Sequence, residues 1–336
     1  MITYKIRIVF ILFWLVIESC QQVTLPESAS LYPVQVGNRY GYIDEQGALR
    51  IPAQFFSVMP FSEGRALVEY EPGKKLLIDQ EGRIVFQDTS GYLRGYFQCG
   101  LIRFDTKSGQ SCFIDTLGHI RFCLSDSIEY AHTTFSNERL LVRYQDRRFA
   151  YLDTNGQVVF EIKRGFPAPF SEGLARIQFS QRTCYVDVQG RRQFCVPGMG
   201  DDFHSGLALV KQQERLYFVD KKGQSRLQKL PYDAVSPFSE GYARVDKQGR
   251  AGFINANGEE VLPLIYDQAL PFSSGLAAVR QHGKPWQFVR VARASITNLP
   301  LTQVTLPGFQ QALAYVQLDS VWGYINQKGE LVWQQQ

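Results

Sequence analysis

The stretch PFSEGRALV, Pro60 to Val68, is written again as PFSEGLARI from Pro169 to Ile177 and as PFSEGYARV from Pro237 to Val245, with PFSSGLAAV from Pro271 to Val279 as a near copy. A chain that repeats a segment of this length is built from like units, and the folds open to it are those that array them side by side. A second motif, aromatic-aliphatic-Asp/Asn-x-x-Gly, travels with the first. Its third residue falls at Asp44, Asp79, Asp115, Asp153, Asp187, Asp220, Asn255 and Asn326, with a degenerate copy at Arg290. That makes nine units, spaced about 35 residues apart.

Each unit reads as strands. Ala175 with Ile177, and Ala243 with Val245, stand two apart and face one side, while Arg176 and Arg244 face the other, the alternation of a half-buried strand. The Asp/Asn-x-x-Gly segment then turns the chain. Asn155-Gly156 and Asn257-Gly258 are preferred residues of a two-residue type I′ hairpin loop, and the Asp or Asn is a turn former rather than a metal ligand. A further strand follows, as in RIVF from Arg83 to Phe86. The expected fold class is therefore all-β, tandem β-repeats closing into a propeller-like ring, with an open β-solenoid as the alternative. Phe61, Phe170 and Phe238 are expected to anchor the connectors in the core, and Gly64, Gly173 and Gly241 to permit a bend or close packing.

The cysteines test the hairpin register. Taking Leu117-Gly118 as the loop pairs Thr116 with His119 and, further along the same strands, Cys112 with Cys123; taking Gln189-Gly190 as the loop brings Cys184 opposite Cys195. Opposed residues of an antiparallel pair lie within disulfide reach, so two disulfides inside hairpins are expected, with zinc as the rival occupant of the same pairs. Cys99 falls outside both and reads as a buried thiol.

These motifs resemble the WG-repeat family of bacterial proteins, whose units run F-S-E-G-x-A-x-V and then W-G-Y-I-D-x-x-G. The likeness extends from about Leu31 to Trp333, and the namesake dipeptide stands at Trp322-Gly323, with weaker versions at Tyr40-Gly41 and Ala251-Gly252. It implies an array of β-repeats and no particular chemistry.

The N-terminus is an address. Lys5 and Arg7 precede the apolar run Ile8 to Ile17, the length of a signal-peptide core and too short to span a bilayer. The run ends at IESC, and Ser19 before Cys20 resembles the lipobox of bacterial lipoproteins, which implies cleavage before Cys20 and acylation of that residue; a secretory signal cut nearby, or an uncleaved anchor, is the alternative. Residues 1–19 are thus expected to be a signal peptide, 20–30 a lipid-tether linker and 31–336 the repeat domain. Gln21 stands where an Asp signals inner-membrane retention in well-studied lipoproteins, so the outer membrane is the expected location. The net charge of +4, part of it in the signal, is too mild to imply nucleic acid.

No catalytic motif is recognisable, and His119, His132, His204 and His282 show no ligand spacing, so no cofactor, metal or enzymatic activity is expected. One position holds an aromatic in eight of nine units, including Tyr42, Tyr151, Tyr185 and Tyr324. These four rings are candidates for stacking on a cell-wall glycan; packing between units is the competing reading. The expected function is a binding or scaffolding surface for a protein partner in the cell envelope, with glycan binding as the alternative and an envelope-bound enzyme third.

Overall fold

A computed structural model of the protein describes residues 30–87, 91–228, 230–291, 295–297 and 299–335. They contain 34 strands and no helix, arranged as nine antiparallel sheets in which hydrogen-bonded neighbours follow sequence order. The sheets are the blades of a closed nine-bladed β-propeller. Blade 1 spans 32–55, and the others span 57–87, 91–123, 128–162, 166–197, 199–226, 234–266, 268–289 and 301–334. Among the described residues, blades 2–7 and 9 have four strands and blades 1 and 8 have three; blade 8 is the degenerate copy, and blade 1 is described from what is the second strand elsewhere.

The register places each repeated motif. In blade 2, Ser57–Val58 pairs with Ala66–Glu71, which pairs with Lys74–Ile78, which pairs with Ile84–Gln87. The Phe-Ser-Glu-Gly segment links the first two of these strands as a tight hairpin: Ser62 and Arg65 exchange both backbone hydrogen bonds, and Glu63 and Gly64 have φ of 51° and 74°. Two successive positive φ values define the type I′ geometry.

That geometry was expected at the Asp/Asn-x-x-Gly turns, and there the expectation is corrected. Asn155 does not have positive φ, whereas Gly156 does, at 78°. The amide of Gly156 donates to the Asp153 carbonyl, and the Asp153 amide donates to the Gln157 carbonyl, which is a type I turn closed by a glycine bulge. The Asp or Asn is the turn former expected: its Oδ1 accepts the amides two and four residues on at all eight positions, as at Asp44 from Gln46 and Ala48 (3.0 and 2.9 Å) and at Asn326 from Lys328 and Glu330 (2.9 and 3.1 Å).

Both disulfides form, Cys112–Cys123 and Cys184–Cys195, each between directly opposed residues. Next to the turn the pairing is one residue out from the expected register, Ile114 facing Ile120, and a bulge between Phe113 and Ile114 restores it before the cysteines. Two departures from the assumed hairpin cancel. With four sulfurs in two bonds, neither pair offers a thiolate to a metal. Cys99 belongs to neither disulfide and is half-buried rather than buried.

Closure follows from one contact repeated around the ring. The turn glycine of each regular blade rests against the last-strand segment of the blade before it: Gly118 on Phe86, Gly156 on Phe122, Gly190 on Phe160 and Gly223 on Phe194. At the seam Gly47 of blade 1 rests on Val332 of blade 9, where an added Cβ would lie 2.4 Å from the Val332 carbonyl oxygen. Tyr32, Val34 and Ile43 share a buried cluster with Leu313 and Tyr324. Among the described residues no strand is exchanged between the two ends, so side chains hold the seam.

Candidate interaction surface

Tyr42, Tyr151, Tyr185 and Tyr324 are not a stacking ladder. Their exposures are 0%, 0%, 0% and 6%, because each ring is covered by the following blade. Tyr42 packs on Phe61, Tyr151 on Phe170 and Tyr185 on Phe203, with centroids 4.8, 5.0 and 5.1 Å apart, all edge-on; Tyr324 packs on Tyr32 across the seam at 5.7 Å. Phenylalanine fills the same role in Phe113–Phe135, Phe218–Phe238, Phe253–Phe272 and Phe288–Phe309. The hydroxyls are also used. Tyr42, Tyr151 and Tyr185 donate to the carbonyls of Met59, Ala168 and Asp201 (2.7, 2.6 and 2.7 Å), and Tyr324 to that of Pro33 (2.9 Å). Burial raises all four phenol pKa values.

The recurring Ser and Glu have a structural use as well. Ser62, Ser171 and Ser239 donate to the carbonyls of Phe97, Phe203 and Phe272 in the next blade (2.7, 2.6 and 2.7 Å), and Ser273 does the same to Phe309. Glu63 accepts the amides of Cys99 and Gly100, Glu172 that of Gly206, and Glu240 those of Ser274 and Gly275 (2.7–2.9 Å). Asn137 and Ser205 substitute for Glu toward Gly173 and Gly241. Any short acceptor suffices, which explains why the motif tolerates replacement. Cys20 lies outside the described residues.

What the motifs leave over is an asymmetric surface. Position 57 of blade 2, opposite Glu69, corresponds by register to Tyr92 opposite Asp105, Tyr130 opposite Arg143, Phe166 opposite Gln178, Met199 opposite Lys211, Ala234 opposite Asp246, Gln268 opposite Arg280 and Gln303 opposite Gln317. Blades 3–6 thus present Tyr92, Tyr130, Phe166 and Met199, exposed by 57%, 51%, 73% and 64%, where blades 2, 7, 8 and 9 present Ser57, Ala234, Gln268 and Gln303. Single exposed apolar residues are ordinary; four at one register position on four consecutive blades trace an arc. The sequence carries the signal, but Tyr92 and Tyr130 stand five positions before the following connector phenylalanine and Phe166 and Met199 stand four before theirs. Aligning on the connector hides the column.

A groove of 470 Å³ between blades 3 and 4 opens beside this arc and is lined by Arg94, Arg103, Asp105, Glu129 and Tyr130; a second, of 380 Å³ between blades 2 and 3, shares Arg94 and Thr133 with it. Asp105 is the hub. It bonds Arg94, Arg103 (2.8 Å) and the Ser111 hydroxyl (2.8 Å). Burial pushes its carboxyl up, but these three donors outweigh burial and hold it below the usual carboxylate range. Arg143, opposite Tyr130, pairs with Glu129 at 3.2 Å through Nη2, and its buried Nε has no hydrogen-bond partner.

A nine-bladed ring with buried motif residues and a one-sided apolar arc is a repeat scaffold with a surface. The repeats are of a known kind: the model of the WG containing repeat matches residues 40–71, 218–250 and 252–284. Each match starts in or beside the third strand of one blade and runs into the next, so the sequence unit and the blade are offset. Among curated proteins no sequence matches the chain. The solved structure described as a eukaryotic initiation factor is similar in fold, at 10% identity and a TM-score of 0.62 over 92% of this chain and 96% of that one. BamB from Moraxella catarrhalis aligns at 13% identity and a TM-score of 0.42 over 88% and 96%.

Proposed function

We propose that this protein is an exported, lipid-anchored binding scaffold of the bacterial cell envelope, and that the arc Tyr92, Tyr130, Phe166 and Met199 with its flanking groove is where a protein partner docks. The observation that carries the reading is that, at this one register position, the large exposed apolar side chains fall on four adjacent blades. Aromatic and Met side chains backed by arginine are the composition of protein-binding patches. The regular motif residues offer no rival site, since their rings and polar groups are spent between blades.

The triple variant Tyr92→Ser, Tyr130→Ser, Phe166→Ser is expected to keep its stability to within about 0.5 kcal/mol per substitution. Its capture of partner from envelope extracts should fall at least tenfold, the consequence of losing one binding residue worth about 1.4 kcal/mol or more. Undiminished capture by the folded variant rejects the arc. Loss of binding to purified cell-wall fragments, with protein capture intact, assigns the arc to glycan instead.

The anchor rests on IESC after an apolar run of signal length. Cys20→Ala is expected to move the protein from the membrane fraction to the soluble one or to stop its processing. Intact wild-type protein recovered without lipid removes this part of the proposal and leaves the arc untouched.

A further inference from the structure

In blades 4, 5 and 6 the antiparallel order sets the hairpin between the second and third strands, and the link from the fourth strand to the next blade, at one end of the sheet. The Phe-Ser-Glu-Gly and Asp/Asn-x-x-Gly turns, with their substitutes, stand at the other end. Tyr130, Phe166 and Met199 lie near the start of their first strands, so the arc is at the hairpin end.

That end is also basic. Arg147 belongs to the hairpin of blade 4, Lys163 and Arg164 to the link into blade 5, Arg182 to the hairpin of blade 5, and Lys211 and Arg215 to the hairpin of blade 6. All six are exposed, and none has an ion-pair partner among the described residues. Of the nearby acids, Glu129 is taken by Arg143, and Asp146 and Glu161 by Arg148. Asp126 and Glu214 are left to offset the six cations. The charge is set into the arc by register: Met199 is directly opposite Lys211 and Tyr130 opposite Arg143, and opposed residues project from the same face of a sheet. Arg164 precedes Phe166 by two positions. Arg182 is held over the Phe179 ring at 5.3 Å, which positions its guanidinium at the surface.

Granted the arc as docking surface, we propose that the partner seated there presents an acidic segment in which carboxylates are interspersed with apolar side chains. The apolar groups cover Tyr130, Phe166 and Met199, and the carboxylates pair with Arg147, Arg164, Arg182 and Arg215. Unpaired cations around an apolar centre steer an oppositely charged partner and fix its register, while the centre supplies the affinity. The patch is local. On blades 7–9 the same end holds Lys247 and Lys284 with Asp233 and Asp319, which balance, and Arg280 lies over the Trp286 ring. A planar anionic membrane would meet the whole end of the ring, whereas a peptide segment needs only the three blades that carry the excess.

The probe is a random copolymer of glutamate and tyrosine, offered to the full-length protein; a copolymer of lysine and tyrosine should not bind. Binding of the acidic copolymer should weaken at least about tenfold as salt rises from about 50 to 500 mM. It should weaken as much at low salt in the variant Arg164→Glu, Arg215→Glu. The equal change of charge in Lys247→Glu, Lys284→Glu should weaken it less than about threefold. Unchanged denaturant midpoints report that both variants are folded. Equal losses in the two variants reduce the effect to net charge and overturn the proposal. Binding that survives Tyr92→Ser, Tyr130→Ser, Phe166→Ser also overturns it, because the carboxylates are then held without the arc. If wild type ignores the copolymer while that triple variant still loses partner capture, the acidic partner is rejected and the arc stands. Vesicles of phosphatidylglycerol and phosphatidylcholine bound through Arg164 and Arg215, with the copolymer ignored, assign the cations to lipid headgroups and overturn it as well.

Discussion

Phe203→Ala is expected to destabilise the protein by about 3–5 kcal/mol, the usual range for deleting a buried phenylalanine. Phe203 is wholly buried in the connector of blade 6 and touches Tyr185 and Phe194 of blade 5, so its loss opens a cavity between blades rather than within one. Its backbone carbonyl also receives the Ser171 hydroxyl, a bond the substitution keeps. Phe166→Ala, on the exposed arc, should change stability by no more than about 0.5 kcal/mol. Denaturant midpoints of the two variants decide the matter, and equal midpoints contradict the assignment of connector phenylalanines to the interfaces.

Acid should weaken the ring through its turns. At Asp44, Asp79, Asp115, Asp187 and Asp220, burial pushes the carboxyl up, but the turn amides and a neighbouring arginine or, at Asp115, histidine and arginine outweigh it and hold the folded-state pKa below the ordinary value. A depressed pKa contributes stability that is complete above the unfolded-state value near 4 and is lost as pH falls through the folded-state value. Each of the five therefore adds stability at neutral pH that acid removes. Asn255 and Asn326 build the same turn without a proton to gain. The double variant Asp44→Asn, Asp187→Asn should therefore have a flatter dependence of unfolding midpoint on pH between about 5 and 3. A slope as steep as the wild type's would show that these carboxylates are not its source.

The parts of this architecture that were legible in the sequence are those fixed by local chemistry. An Asp followed by Gly three residues later marks a turn wherever it stands, because the carboxylate bonds amides within its own loop, and two cysteine pairs equally spaced about such turns could be set opposite one another. Turn type was not legible. Asn155-Gly156 carries the composition of a type I′ loop, and only the backbone shows that one residue, not two, has positive φ. The compensating bulge carries no sequence mark either: Arg121 and Gln193 are the residues passed over. Tyr151 and Tyr185 posed a different problem. Strand alternation says that one face is apolar, but not whether a neighbour or solvent covers it, and that depends on Phe170 and Phe203, 19 and 18 residues further on. Closure lay furthest from view, since Gly47 and Val332 stand at opposite ends of the chain.

The offset between sequence unit and blade bears on how such a ring grows. Residues 40–71 comprise the outer half of blade 1 and the inner half of blade 2, so they carry both Tyr42 and Phe61, the two sides of one joint. Copying or losing one unit therefore moves a complete, self-matched joint, and the new junction falls between the second and third strands of a sheet. There the bonding is backbone to backbone and accepts any sequence of the right alternation. A gene that gains or loses one such unit encodes a ring one blade larger or smaller with every joint already made, the only new demand being a slight change in the tilt between neighbours.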